Sequence, residues 1–334
     1  MLPLVLILIL CAIAVLVLLS FFLLSRSSGG ASKKTKEDEG DAVSEIIKRV
    51  RRIELMTSGL VKESLGGEYQ SSFKGQGMDF HDFREYQPGD EVRAIDWNVT
   101  ARMRTPFVKT FREERQLTVF LLVDVSASGS YGSRHLSKRE LAAEVAACFA
   151  FSAIHNQDQV GLILFSDHVE LYLPPRKGTG NTLRLIREIL AWEPVGRQTS
   201  LKPATDILVN SVDRRSLCFV ISDFQMPTDE LDDSIRLASI KHDIVAVQIS
   251  DPAEEDLPES GAISLVDPET GEQVVVNTSR GEIRERYRAL RSHWQEGLVG
   301  LFRRRSLDHL RLRTDEDYLP ALHSFFKRRS RRHG

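Results

Sequence analysis

The sequence is poor in cysteine and has no large excess of charge of either sign. Its 334 residues contain three cysteines, and Cys11, Cys148 and Cys218 all stand within apolar runs. They form neither a disulfide framework nor a metal-ligand spacing, so we interpret them as small core residues. The 45 basic residues nearly balance the 47 acidic ones, and this balance gives no sign of a chain that binds nucleic acid.

The motifs of several enzyme classes are missing as well. A Gly-x-Ser-x-Gly nucleophile elbow would need glycine where VSASG begins with Val125. The glycines of RKGTGNT, residues 176–182, are not followed by the Gly-Lys-Ser/Thr ending of a phosphate-binding loop. A haloacid-dehalogenase-like phosphatase needs a second aspartate where this chain has Ser126. These absences favour a protein that is not an enzyme.

An uncharged apolar run, residues 2–24, opens the chain. It is long enough to cross the hydrocarbon core of a bilayer as a helix. No basic residue precedes it, so we prefer an uncleaved transmembrane anchor, residues 1–25, to a secretory signal peptide. Basic residues follow at positions 26–36, and such flanks stay in the cytoplasm. We expect a single-pass protein of the inner (cytoplasmic) membrane with most of its chain in the cytoplasm.

Composition divides the rest of the chain. Residues 26–42 are polar and charged and are predicted to be a linker. In the segment 43–115, apolar residues first recur at helical spacing. Strand and helix patterns alternate over residues 116–330, and residues 331–334 form a basic tail. The basic residues from Lys327 to Arg332 are expected to follow the last helix, either solvated or near anionic lipid.

Apolar runs of strand length alternate with helical patterns from residue 117 onward. LTVFLLVDV, SLCFVISDF and DIVAVQI are continuous apolar runs, typical of parallel strands buried on both faces. QVGLILF and VELYLP are separated by three polar residues and are predicted to pair as a hairpin. DHLRLRT is predicted to be an edge strand, and Thr314 with Asp317 to cap a last helix that runs to Phe326. Together these patterns predict an α/β fold with a doubly wound, mostly parallel sheet.

Polar side chains gather where two predicted buried strands end. Asp124 and Asp223 follow these strands, Ser126 and Ser128 come just after the first, and Thr199 precedes a predicted helix. Functional groups of open α/β sheets lie outside the carboxyl ends of the strands, and two adjacent carboxylates repel unless a cation lies between them. A ligand set made only of oxygen favours Mg²⁺ first and Mn²⁺ second. The alternative is a serine-rich turn with aspartates that cap the following helices.

The order Asp-x-Ser-x-Ser, then Thr, then Asp resembles the metal-ion-dependent adhesion site of von Willebrand factor type A domains. The resemblance implies direct metal contacts from Ser126, Ser128 and Thr199. It implies that Asp124 and Asp223 act largely through water, and that one coordination position stays open for a carboxylate of a partner protein. The chain departs from the pattern at the residue after Ser128, which is glycine where family members often carry methionine.

Residues 75–115 resemble the signature of the bacterial family called domain of unknown function 58. The matching pieces are Asp79-Phe80, Arg84, Tyr86, Gly89-Asp90, Arg93, Ile95-Asp96-Trp97 and Thr100-Ala101-Arg102. With the C-terminal segment, the likeness spans most of residues 45–330. It implies a MoxR-type AAA+ ATPase as a partner.

Alternating acidic, basic and aromatic residues in this segment allow two interpretations. Bidentate Arg–carboxylate pairs would make a rigid structural network, whereas exposed Arg, Tyr and Trp dominate protein interfaces. The candidates are Asp79, Arg84, Tyr86, Asp90, Arg93, Asp96, Trp97 and Arg102.

The sequence thus predicts a membrane-anchored, Mg²⁺-dependent protein-interaction module that is not an enzyme. It is expected to act with a MoxR-type AAA+ ATPase in protein assembly or maturation. The alternative is a metal-dependent hydrolase that uses the same site at the strand ends.

Overall fold

The computed structural model of the protein describes residues 45–61, 65–73, 77–114, 116–133, 136–196 and 198–333. The expected anchor and linker lie outside these residues. Among the residues that are described, no helix is long and apolar enough to cross a membrane. The chain divides into two compact units, Met1–Arg52 and Ile53–Gly334. Residues 53–115 therefore belong to the same unit as the sheet.

The second unit is built from alternating strands and helices. Its strands are β1 (Gly77–Glu85), β2 (Phe107–Glu114), β3 (Thr118–Asp124), β4 (Gln159–Phe165), β5 (Val169–Arg176), β6 (Leu217–Ser222), β7 (Asp243–Ser250), β8 (Ala262–Val266), β9 (Gln273–Asn277) and β10 (Asp308–Arg313). Helix α1 comprises residues 45–60. The helices that follow are α2 (Gly66–Ser72), α3 (Trp97–Met103), α4 (Lys138–His155), α5 (Thr179–Ala191), α6 (Lys202–Ser211), α7 (Thr228–Lys241), α8 (Pro252–Glu255), α9 (Gly281–Arg304) and α10 (Leu319–His333).

The central sheet has six strands in the order β10-β7-β6-β3-β4-β5. All neighbours run parallel except β4 and β5, which form the expected antiparallel hairpin. The middle strands are buried along nearly their whole length, because helices cover both faces of the sheet. The predicted α/β fold with a mostly parallel sheet is confirmed. Two further hairpins, β1–β2 and β8–β9, form separate two-stranded sheets.

Alternate side chains of the strands enter the two layers of the core. On one face, Phe120 and Leu122 of β3 pack with residues of α6, α7 and α9, such as Leu208 and Phe302. On the other face, Phe219 of β6 stacks against a phenylalanine of α4 with the ring centroids 3.8 Å apart. Helix α4 is buried almost all round. A capping box begins this helix, as Ser137 and Glu140 exchange backbone and side-chain hydrogen bonds.

Helix α10 differs from the prediction at both ends. Thr314 does not cap it but donates its hydroxyl to Asp251 at 2.7 Å, whereas Asp317 accepts from the backbone N–H of Leu319 at the helix start. The helix also continues past Phe326 to His333. The basic residues expected to follow the last helix are therefore part of it, and only some of them face solvent.

Arg329 departs most clearly from the expectation that the basic residues at the end of the chain are solvated or near lipid. Its side chain is 3% exposed and forms ion pairs with Asp308 and Asp243 at the starts of β10 and β7. Its guanidinium lies 4.5 Å from the ring centroid of Phe73. The residue thus ties the C-terminal helix to the sheet and to the end of α2, and it cannot contact a lipid surface.

Candidate metal site

The candidate site lies at the carboxyl ends of two central strands. β3 and β6 are parallel neighbours, so Asp124 and Asp223 stand at the same rim of the sheet. Each carboxylate is fixed by the turn that follows it. Asp124 Oδ1 accepts from the backbone N–H of Ser126 at 2.9 Å, and Asp223 Oδ1 accepts from that of Gln225 at 3.0 Å.

The two serines link these carboxylates through their hydroxyl groups. Ser126 Oγ lies 3.1 Å from Ser128 Oγ, and Ser128 Oγ donates to Asp223 Oδ2 at 2.9 Å. All four residues are buried. The structure therefore brings together four of the five predicted ligand residues, and metal binding by them stays a prediction.

Thr199, the fifth predicted ligand, is buried and contacts an acidic residue that the sequence analysis did not identify. Its hydroxyl donates to Glu269 Oε1 at 2.7 Å. Glu269 lies in the turn between β8 and β9, far along the chain. The turn sequence DPETGE between two β-branched runs is a hairpin signal, but no local pattern shows that the hairpin reaches the site.

Lys138 is the second residue that the sequence analysis missed. Its ammonium group lies 2.6 Å from Asp223 Oδ2 and 2.6 Å from Glu254 Oε1. Burial disfavours the charge on this lysine, but attraction to Asp223 and Glu254 outweighs burial and raises its pKa. Part of the negative charge at the rim is therefore already neutralised by a cation that belongs to the chain itself.

Asp124 is buried beside the strand that leads to Asp223. Burial, together with the nearby charge of Asp223, raises the pKa of Asp124 to about 6. The hydroxyl of Ser222, which donates to Asp124 Oδ2 at 2.6 Å, and the bonds from Ser126 oppose this shift. A carboxylate that is costly to ionise in this fold gains from a nearby positive charge, and a bound cation would supply one.

The arrangement of oxygens fits a small hard cation. Ser126 Oγ and Ser128 Oγ lie 3.1 Å apart, and two neighbouring oxygens bound to Mg²⁺ at about 2.1 Å would be about 3 Å apart. Within the described ranges there is no cluster of three or more His, Cys, Asp or Glu residues suited to a metal. A metal here would therefore depend on the hydroxyl groups, as the predicted ligand set requires.

Lys138→Met tests whether a cation can replace the lysine. The variant leaves Asp223 without its ammonium partner, so Mg²⁺ should bind more tightly and stabilise the variant more than the wild type. We expect Mg²⁺ to raise the Tm of the variant by about 4 °C more than that of the wild type, roughly 1–2 kcal/mol for a domain of this size. Differential scanning calorimetry with EDTA and with Mg²⁺ measures the difference.

Lys202→Met is the matched control, since Lys202 is exposed and pairs only with Asp206 on the same helix. It should leave the Mg²⁺ effect unchanged. An equal Mg²⁺ effect in Lys138→Met and the wild type would mean that the ammonium group and the metal do not compete for Asp223.

The residues proposed as an interface or a structural network lie on β1, β2, α3 and the loops between them. Arg84 forms a bidentate ion pair with Asp90, at 2.7 and 2.6 Å, and this pair lowers the pKa of Asp90. Asp96 accepts from two backbone N–H groups at the start of α3 and lies 2.8 Å from Lys109 Nζ. These three predicted residues therefore act in the structure of the segment.

Other members of the same set face solvent. Trp97 is 67% exposed, and Arg93 and Arg102 are exposed as well. Tyr86 is partly buried, and Asp79 stands opposite Arg112 in the β1–β2 register. The segment thus combines an internally bonded part with an exposed aromatic and basic surface. A role of that surface as a partner interface stays a prediction.

Residues 82–296 match the family described as protein of unknown function DUF58. A similar relative is the uncharacterized protein Rv1480 of Mycobacterium tuberculosis, 30% identical over 284 residues, which are 84% of this chain and 89% of that protein.

Two solved structures are similar at low scores. BatB from Bacteroides thetaiotaomicron matches with a TM-score of 0.41 and 14% identity, over 64% of this chain and 99% of that one. The VWA domain of SpRpn10 matches with a TM-score of 0.34 and 14% identity, over 64% of this chain and 95% of that one. At these scores the likeness carries no conclusion about function.

Proposed function

The chain belongs to the family described as protein of unknown function DUF58, and we propose that it is a membrane-anchored, metal-dependent protein-interaction module. The observation that carries the proposal is the cluster of buried hydroxyl and carboxylate oxygens at the carboxyl ends of β3 and β6. A crevice opens at this cluster and is lined by Asp124, Ser128, Lys138, Arg139, Ser222 and Asp223, among others. We propose that a partner approaches the cluster from the side of this crevice.

The cation would be Mg²⁺ or Mn²⁺, held by Ser126, Ser128 and Thr199, with Asp124 and Asp223 supplying charge. Neutral hydroxyl ligands leave much of the charge of the cation uncompensated. Such a cation attracts a further anionic oxygen, and a protein offers one most readily as Asp or Glu. The proposed partner therefore presents an acidic side chain to the crevice.

The proposed partner is a MoxR-type AAA+ ATPase, and the proposed process is protein assembly or maturation. Both rest on the resemblance of residues 75–115 to the family signature. The exposed surface around Trp97 would supply a second contact that does not need the metal, because exposed tryptophan and arginine dominate interface energies. This surface extends the footprint of the partner beyond a single carboxylate.

The anchor would be the uncharged run at residues 2–24, placing the protein in the inner membrane with most of the chain cytoplasmic. The run is followed by basic residues, which supports this orientation. The site would then act on cytoplasmic partners close to the membrane surface.

Co-purification of the full chain with the ATPase, with and without EDTA, tests the proposal. Removing one metal-ligating hydroxyl by Ser126→Ala or Thr199→Ala should weaken association by about 10–100-fold, on the scale of losses from altered metal sites. Ser130→Ala is the matched control, because Ser130 is an exposed serine of the same turn.

Association that persists unchanged in EDTA and in Ser126→Ala would move the contact to the surface around Trp97. Turnover of phosphatase or esterase substrates that requires Mg²⁺ and is lost in Ser126→Ala would instead support the hydrolase alternative.

A further inference from the structure

The β8–β9 hairpin stands out from the body of the protein. It forms a two-stranded sheet of its own, and its apolar side chains are poorly covered, with Val266, Val274 and Val275 exposed by 53, 58 and 73%. An isolated two-stranded hairpin is only marginally stable in water. Contacts at its two ends, the base and the tip, therefore have a large influence on its position.

The tip of this hairpin is built around one aspartate. Asp267 Oδ1 accepts from the backbone N–H of Glu269 at 2.9 Å, and Asp267 Oδ2 accepts from the hydroxyl of Thr270 at 2.7 Å. Gly271 has a φ of 76°, a left-handed conformation that closes the turn. Hydrogen bonds inside the turn thus fix its conformation and the position of Glu269.

Glu269 contacts Thr199, the fifth of the predicted metal ligands. The hydroxyl of Thr199 donates to Glu269 Oε1 at 2.7 Å, and the backbone N–H of the same threonine also bonds to this carboxyl group. The tip of the hairpin therefore holds a carboxylate oxygen against one of the predicted metal ligands.

We propose that Thr199 forms part of a binding position for an acidic side chain of a partner, and that Glu269 occupies this position internally until the partner displaces the β8–β9 hairpin. The inference rests on the proposed function, since it concerns the same site. The hairpin is suited to this role because its two strands have few contacts that would resist release, and because its tip carries the same chemical group as the partner.

Peptide binding to the full chain in detergent micelles with Mg²⁺ tests the inference. The probe is a fluorescein-labelled peptide with the sequence of residues 260–279, which presents the same acidic tip in trans. Glu269→Ala empties the internal position. In the wild type, Glu269 occupies this position most of the time, so only the unoccupied fraction of the protein can bind the peptide. The variant should therefore bind the peptide about tenfold more tightly than the wild type. Fluorescence anisotropy measures the binding.

Two controls sharpen the experiment. Glu272→Ala removes a carboxylate of the same turn that does not contact Thr199, and it should bind like the wild type. The same peptide carrying Glu269→Gln should bind weakly to every variant, because it lacks the carboxylate. Equal binding of the acidic peptide by the wild type and Glu269→Ala would overturn internal occupancy and leave the proposed function standing. No binding by any variant would overturn both.

Discussion

Asp124→Ala should weaken Mg²⁺ and Mn²⁺ binding by about 100-fold, the upper range for losses of a residue that acts through bound water. The carboxylate of Asp124 is one of two that would balance the charge of the cation, and its Oδ1 fixes the turn that carries Ser126. Without this carboxylate, less negative charge balances the cation, and the turn no longer holds the hydroxyl of Ser126 in place. Isothermal titration calorimetry on the full chain measures the affinity.

The same substitution should leave the fold intact. Asp124 stands at the end of β3, at the rim of the sheet rather than in its core, so its removal should leave the packing of the strands unchanged. Asp206→Ala is the control, because Asp206 is half exposed on α6 and pairs only with Lys202. Unchanged Mg²⁺ titration in Asp124→Ala would contradict the assignment of the cluster as a metal site.

Arg329→Ala should lower the free energy of unfolding by about 3–5 kcal/mol, the cost of breaking a buried ion pair by removing one partner. The guanidinium joins Asp308 and Asp243 at the edge of the sheet and packs on Phe73. Among the described residues, its loss leaves Asp308, which is 10% exposed, with the exposed Arg332 as its ionic partner. Urea unfolding followed by circular dichroism measures the change.

Arg331→Ala provides the matched control on the same helix. Arg331 is exposed, so its removal should change the unfolding free energy by no more than about 0.5 kcal/mol. Similar small effects for both variants would show that Arg329 is solvated in solution rather than buried.

The sheet could be predicted from the sequence because its strands carry a strong local signal. β4 has the bounds that its apolar run predicts, and β3 and β7 differ by one or two residues at their ends. Continuous β-branched and aromatic runs of this length can hardly form anything but buried strands in an α/β chain. The placement of Asp124 and Asp223 at one rim follows from the same pattern, since both follow neighbouring parallel strands.

The contacts around the site could not be predicted, because they depend on which distant elements meet. Lys138 begins a helix whose sequence shows no reason to send an ammonium group to Asp223. Glu269 lies 70 positions from Thr199. The capping prediction for Thr314 was wrong for a related reason. Asp251, which is fully buried and needs donors, takes its hydroxyl.

The packing of α2 on α10 has a consequence for how the chain is made. Tyr69 of α2 and Phe73 at the end of this helix are buried against Phe326. The hydroxyl of Ser72 donates to the backbone carbonyl of Phe326, which lies 254 positions later in the sequence. At a synthesis rate of about 5–20 residues per second, these aromatic side chains wait roughly 10–50 s on the ribosome for their partner. During that interval the nascent chain exposes an apolar surface that chaperones can recognise, so completion of this fold is timed by its C-terminal helix.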